Sequence, residues 1–198
     1  GVADLAARTA DTGIVAVVGA PVRAAGKIFN AAVVLAGGAV VGVTAKTHLP
    51  TYGEFYEQRW FASADELRRR GSSNWQVEGL VGPDGEAVDL SADAVFQLDG
   101  GTRFAIEICE DLWAPAPPGV ALARAGAEVI VNLSASNEVL GKADWRRTLV
   151  TAQSGRTACA YVYVSCGPTE SSADTVFGGD VIVAENGPIL TEGRRFPR

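Results

Sequence analysis

The sequence predicts an α/β fold in which two layers of β-sheet are covered by helices. Three observations carry this: apolar runs of strand length recur along the whole chain, glycine-bearing turns join some of them into hairpins, and helical segments, the longest at residues 142–158, separate others. With 198 residues, 47% of them hydrophobic and 20% charged, the chain suffices for one substantial folded domain and falls short of two full ones.

Taken in order, residues 2–12 place Val2, Leu5, Ala6, Thr9 and Ala10 at helical spacing, and Gly13 ends that helix. Residues 14–18 form a continuous apolar strand reaching Gly19 and Pro21, so a helix feeding a buried strand argues for alternating layers. Residues 29–35 and 40–44 are strands joined through Gly37 and Gly38. Residues 52–61 set aromatics among Glu54, Glu57 and Arg59, as a turn and a short helix, and residues 65–70 are more polar. Short strands are expected at 76–81 and 94–98, and a buried one at 104–109, with the cysteine as its last residue. Pro115, Pro117 and Pro118 enforce a loop, Pro118 starts a short helix to Ala125, and Gly126 closes it. Residues 128–133 read as another buried strand, with a polar exit through residues 134–137. The long helix carries Trp145, Leu149, Ala152 and Arg156 on related faces. Strands follow at 161–165, 176–183 and 188–192, the last two separated by the Asn186-Gly187 turn.

Composition removes several function classes. The net charge is -6 with a pI near 4.8, and basic residues form only short clusters such as Arg68, Arg69 and Arg70, so nucleic acid is a poor partner. Cys109, Cys159 and Cys166 cannot all pair and none lies in a C-x-x-C arrangement, which points to a reducing, cytoplasmic compartment and away from a thiolate zinc site. No apolar run is long enough to cross a membrane. Phosphate-binding fingerprints are absent, so Gly37-Gly38 and Gly178-Gly179 read as turn glycines. Methionine is absent too; residue 1 is not expected to be the natural start, and a further strand is expected upstream of it.

The chemistry concentrates in FAIEICEDLW at 104–113. Phe104, Ile106 and Ile108 alternate with Ala105, Glu107 and Cys109, so a buried strand delivers a thiol to its C-terminal end, beside Glu107, Glu110 and Asp111. A sharp turn there aims the N–H groups of Glu110 and Asp111 at an anion, which makes a nucleophile site with an oxyanion hole. Acidic neighbours alone raise a thiol pKa, so a cation must offset them. Lys46, at the exit of another strand, can supply it, or is a solvated surface lysine. Glu57 either anchors that lysine or makes an ordinary salt bridge. His48 is the only histidine, so any Cys-His scheme must use it; a surface or hydrogen-bonding role is equally compatible. Cys159, inside an apolar run, reads as a core residue, and Cys166, at a strand end, reads as mainly structural.

The segments KTHLPTYGEFYEQRWF around Lys46, EICEDLW around Cys109 and NLSASN at 132–137, with the run from AYVYVSCG to FGGDVIVAENGPILTEGRRF, resemble the nitrilase superfamily. Within it, they are most similar to the amino-terminal glutaminase domains of glutamine-dependent NAD synthetases. The resemblance covers nearly the whole chain. It implies an αββα four-layer sandwich lacking its amino-terminal strand region, with residues 1–198 a partial glutaminase domain and the synthetase domain outside them. It also implies Cys109 as nucleophile, Lys46 as catalytic lysine and Glu57 as an additional active-site glutamate. Tyr52 and Ser136 would contact L-glutamine, and the Glu110 N–H would join the oxyanion hole. Ammonia released from glutamine would pass to the synthetase domain, which amidates deamido-NAD; the glutaminase part needs no cofactor, while ATP and magnesium serve the synthetase part. Superfamily members pack as dimers or larger assemblies, so a homo-oligomer is expected.

Two departures from the family pattern stand out. The family's base is a glutamate on a strand earlier than residue 1, so these residues alone are expected to be weakly active or inactive. Lys142 stands where close relatives have an arginine against the substrate carboxylate, which keeps the charge and loses the two-pronged contact. Two further readings remain: a stand-alone amidase of the same superfamily acting on another small amide, and a non-catalytic assembly or binding module.

Overall fold

A computed structural model describes residues 1–71, 75–172 and 174–197. The chain divides into two compact units, Gly1–Ala94 and Val95–Arg198.

In the first unit, β1 (Ala16–Ala24), β2 (Lys27–Ala36) and β3 (Ala39–Ala45) form an antiparallel meander. Gly37 and Gly38 both take positive φ at its second turn, as the sequence predicts, because a two-residue hairpin needs the left-handed conformation at both positions. β4 (Gln76–Val81) and β5 (Ala87–Ser91) complete a closed barrel in the order β1-β2-β3-β5-β4, with β3 and β5 parallel. Phe29, Ala31, Val33 and Leu35, alternating along β2, are fully buried in the barrel core, and Trp75 meets Phe29 edge-on. α1 (Val2–Ala7), α2 (Glu57–Trp60) and α3 (Ala64–Arg70) belong to this unit. Ser63 caps α3 by accepting the Asp65 N–H, a signal legible in the sequence and not used there.

Several boundaries differ from expectation. The first helix stops at Ala7, and the strand read at 14–18 begins at Ala16 and runs to Ala24, leaving Ile14 and Val15 exposed. β1 crosses Pro21 because it pairs fully with β2 but meets β4 only at Ala24, and a nearly unpaired edge tolerates a residue without an N–H. The first unit is therefore an antiparallel barrel closed by one parallel pair, where alternation of helix and strand was expected.

The second unit is a six-stranded sheet. β6 (Val95–Gln97) is antiparallel to β7 (Arg103–Ile108); β7, β8 (Val129–Ser134) and β9 (Ala160–Ser165) are parallel; β10 (Val181–Glu185) and β11 (Ile189–Glu192) return antiparallel. Asn186 and Gly187 take positive φ in the expected turn, whereas the strand read at 176–183 begins only at Val181. α4 (Glu110–Trp113), α5 (Gly119–Arg124) and α6 (Lys142–Thr157) supply the connections between parallel strands. Leu112, Ala123, Leu149 and Val150 from these helices pack on Ile130, Tyr161, Tyr163 and Ile182 of the sheet. The α/β class is as the sequence predicts, with a sheet in each unit. Among the described residues, no helix is long and apolar enough to cross a membrane.

Candidate active site

Lys46 leaves β3 with its backbone pinned on both sides, its N–H donating to Asn30 O and its carbonyl accepting from Ala64 N–H. Its side chain is 1% exposed, and Nζ lies 2.7 and 2.9 Å from the two carboxylate oxygens of Glu57, the first residue of α2. The alternative of a solvated surface lysine is thereby corrected: a desolvated ammonium needs an ionic partner, and Glu57 supplies it with both oxygens. Asn30 Nδ2 donates to the same carboxylate at 3.4 Å. Tyr52 is largely exposed and meets Phe55 edge-on, and His48 is half-buried. The first unit thus brings together Lys46 and Glu57.

In the second unit, Cys109 follows β7 at φ 49 and ψ -98, a strained conformation for a residue with a Cβ. The strain is held by hydrogen bonds on every side. Cys109 N–H donates to Leu133 O, Leu112 N–H donates back to Cys109 O, and the buried Asp111 carboxylate accepts the Ile108 N–H at 2.8 Å. The result is a strained elbow, with the half-buried thiol at the carboxyl end of a parallel strand, the geometry that a nucleophile requires. Glu110 opens the four-residue α4 immediately after it. The Asp111 side chain serves as the clasp of the turn.

Ser136 and Lys142 lie beyond the neighbouring strand β8. Ser136 is buried and accepts from Arg146 Nη2 at 3.4 Å. Lys142 opens α6, donates to Asn137 Oδ1 and rides over the Trp113 ring at 5.2 Å. Arg146 is fully buried, with Nη1 at 2.9 Å from both Glu138 Oε1 and Asp180 Oδ1, and its guanidinium lies over the Tyr163 ring. Burial first, and then the charge of Cys109, push the Tyr163 hydroxyl up to about 12, against Arg146 and the hydroxyls of Ser134 and Ser136. Cys109, Ser136, Tyr163 and Arg146 therefore belong to one neighbourhood. Cys159 is 3% exposed and donates to Ala127 O, as its core reading requires. Cys166 is half-buried at the end of β9, its thiol pushed up by burial and by Cys109.

Sequence reading passed over Arg146, Tyr163 and the role of Glu107. Glu107 was legible as a carboxylate on the alternating face of a buried strand; it is 0% exposed, and burial raises it to about 7. Arg146 carried no local signal, because Glu138 reaches it from the loop before α6 and Asp180 from a distant segment.

The profile of the carbon-nitrogen hydrolase family matches residues 2–198. The chain is 41% identical over 197 residues to the glutamine-dependent NAD(+) synthetase of Mycobacterium bovis, covering 98% of this chain and 28% of that protein. It is similar in structure to a glutamine-dependent NAD(+) synthetase from Cytophaga hutchinsonii, with a TM-score of 0.80, 27% identity, and coverage of 98% of this chain and 29% of that one. An amidase of the nitrilase superfamily from Nesterenkonia shares the fold alone, at a TM-score of 0.71 and 19% identity over 97% of this chain and 62% of that one. The chain spans 28% of the length of the curated synthetase it matches. A strained cysteine elbow in an α/β nitrilase-like fold, matched over residues 2–198 by the family profile, places this chain in the carbon-nitrogen hydrolase family.

Proposed function

We propose that the chain is the glutaminase part of a glutamine-dependent NAD synthetase, in which the side-chain amide of L-glutamine is hydrolysed and its ammonia is used to amidate deamido-NAD. The observation that carries this reading is the Cys109 elbow, in a chain similar over 98% of its length to such synthetases. Cys109 Sγ attacks the amide carbon, the C–N bond breaks, and the thiol proton leaves with the amine as ammonia. Water then adds its hydroxyl to the thioester and returns its proton to Sγ, giving glutamate. The Lys46 ammonium, held by Glu57, and the Glu110 N–H stabilise the oxyanion, a role in which loss of one donor typically costs about 10²–10³ in rate. Tyr52, Ser136 and Lys142 hold the amino-acid end of glutamine, Lys142 as a point charge. The ammonia goes to a synthetase domain that uses ATP and magnesium, in a cytoplasmic homo-oligomer.

The test is labelling of Cys109 by a diazoketone analogue of glutamine, read by peptide mapping. Selective modification that L-glutamine suppresses, and that Cys109→Ala abolishes, is the expected result. Protection by a different small amide and none by glutamine would replace this reading with the stand-alone amidase. An inert Cys109 would leave a binding or assembly module.

A further inference from the structure

Beneath Cys109, on the same face of the sheet, runs a chain of buried hydrogen bonds that the amide chemistry does not use. Ser134 Oγ donates to Asn132 Oδ1 at 2.8 Å, Asn132 Nδ2 donates to Tyr161 Oη at 3.0 Å, and Tyr161 Oη donates to Glu107 Oε2. Glu107 Oε1 accepts the Gly119 N–H of α5 at 2.6 Å. Glu107, Asn132 and Tyr161 are each 0% exposed. Register sets the chain under the nucleophile: Glu107 pairs with Asn132 and Ile108 with Leu133, so Ser134 is the β8 neighbour of Cys109, two residues along the face from Asn132.

All three links point the same way. Each donor spends its proton inward, toward a carboxylate that only accepts, and Ser134 is left presenting lone pairs at its outer end, where the Tyr163 hydroxyl faces both Ser134 and Cys109. A proton on Glu107 Oε2 reverses the sense. The carboxyl then donates to Tyr161, Tyr161 to Asn132, and the turned-over amide to Ser134, whose O–H is freed for the nucleophile end. We propose that Glu107 is a positioning residue for Cys109, acting through Tyr161 and Asn132 to dictate whether Ser134 offers the nucleophile end of the sheet an acceptor or a donor. The inference rests on Cys109 as the nucleophile and not on glutamine as the substrate.

The groups facing Glu107 suit this role. Tyr161 comes from β9, Asp111 from α4 and Arg156 from α6. Burial is the largest influence and raises the carboxyl to about 7, so both senses of the chain are populated near neutral pH. Ionised Glu107 withdraws the Ser134 donor from the nucleophile end, and a protonated Glu107 returns it.

The experiment is the rate of Cys109 alkylation by iodoacetamide against pH in the full chain, with peptide mapping to separate Cys159 and Cys166. Wild type is expected to show an inflection near pH 7 beneath the thiol ionisation. Glu107→Gln should abolish it and speed alkylation above pH 7 on the order of tenfold, since a like charge is gone. Tyr161→Phe, which cuts the chain and leaves the carboxyl, should shrink the inflection to what the bare charge imposes through space and speed alkylation about fivefold. A folded Tyr161→Phe variant with the wild-type profile overturns the proposal, whatever Glu107→Gln does, because the coupling would then pass through space. If Tyr161→Phe does not fold, Ser134→Ala decides on the same criterion, since it removes the responding hydroxyl at the half-buried end of the chain. Iodoacetamide needs no substrate recognition, so a negative result here leaves the glutamine-protection assay to judge the function separately.

Discussion

Cys109 stores about 1–3 kcal/mol of backbone strain at φ 49, which only the surrounding hydrogen bonds sustain. Cys109→Gly should therefore raise stability by about 1 kcal/mol in a denaturant melt while ending covalent labelling. A variant no more stable than wild type would show that the elbow is relaxed. The Lys46–Glu57 pair makes the opposite demand. Glu57→Ala strands an ammonium that is 1% exposed, and the expected loss is about 3–5 kcal/mol. The double variant Lys46→Met, Glu57→Leu should recover most of that, and equal losses in single and double variants would contradict the desolvation argument. At this scale the residue types were legible in the sequence and their burial was not. Lys46 reads equally as a surface lysine until Glu57, eleven positions on, is seen to fold back onto it.

Among the elements, α5 is placed by one glycine. A Cβ on Gly119 would sit 2.6 Å from Glu107 Oε1 and 2.9 Å from both Gln153 Nε2 and Ile130 Cδ1. These side chains come from β7, α6 and β8 and are all fully buried, which limits how far each can give way. Gly119→Ala should cost about 1–3 kcal/mol in thermal or chemical unfolding, and a neutral effect would mean that α5 is free to shift. The sequence marks the start of α5 by Pro118 and the turns by Gly37-Gly38 and Asn186-Gly187, and the structure keeps all three. It hides β5 and the continuation of β1 past Pro21. These depend on which strand lies alongside: β5 is held through its parallel pairing with β3, and Pro21 is tolerated because β1 is almost unpaired on one side.

For the molecule as a whole, Glu107 imposes a pH dependence on folding. Its carboxyl rises from 4.5 to about 7 on folding, so the native state binds the proton more tightly than the unfolded chain. The stabilisation is fully present below about pH 4.5 and is lost as pH rises toward 7. The loss corresponds to about 3 kcal/mol. Wild type should thus lose stability relative to Glu107→Gln between pH 5 and pH 8, measured as the difference between their unfolding free energies. Parallel pH profiles for the two proteins would place Glu107 in contact with water.

The sequence by itself determined the α/β class, the hairpin turns, the long helix and the thiol at a strand exit, because each follows from periodicity or turn chemistry within a few residues. Only the tertiary structure decided that the first sheet closes into a barrel, that Lys46 is buried against Glu57, and that Glu107 is buried against Tyr161, 54 positions away. Desolvation and ion pairing depend on what surrounds a group in space, and local pattern carries no record of that.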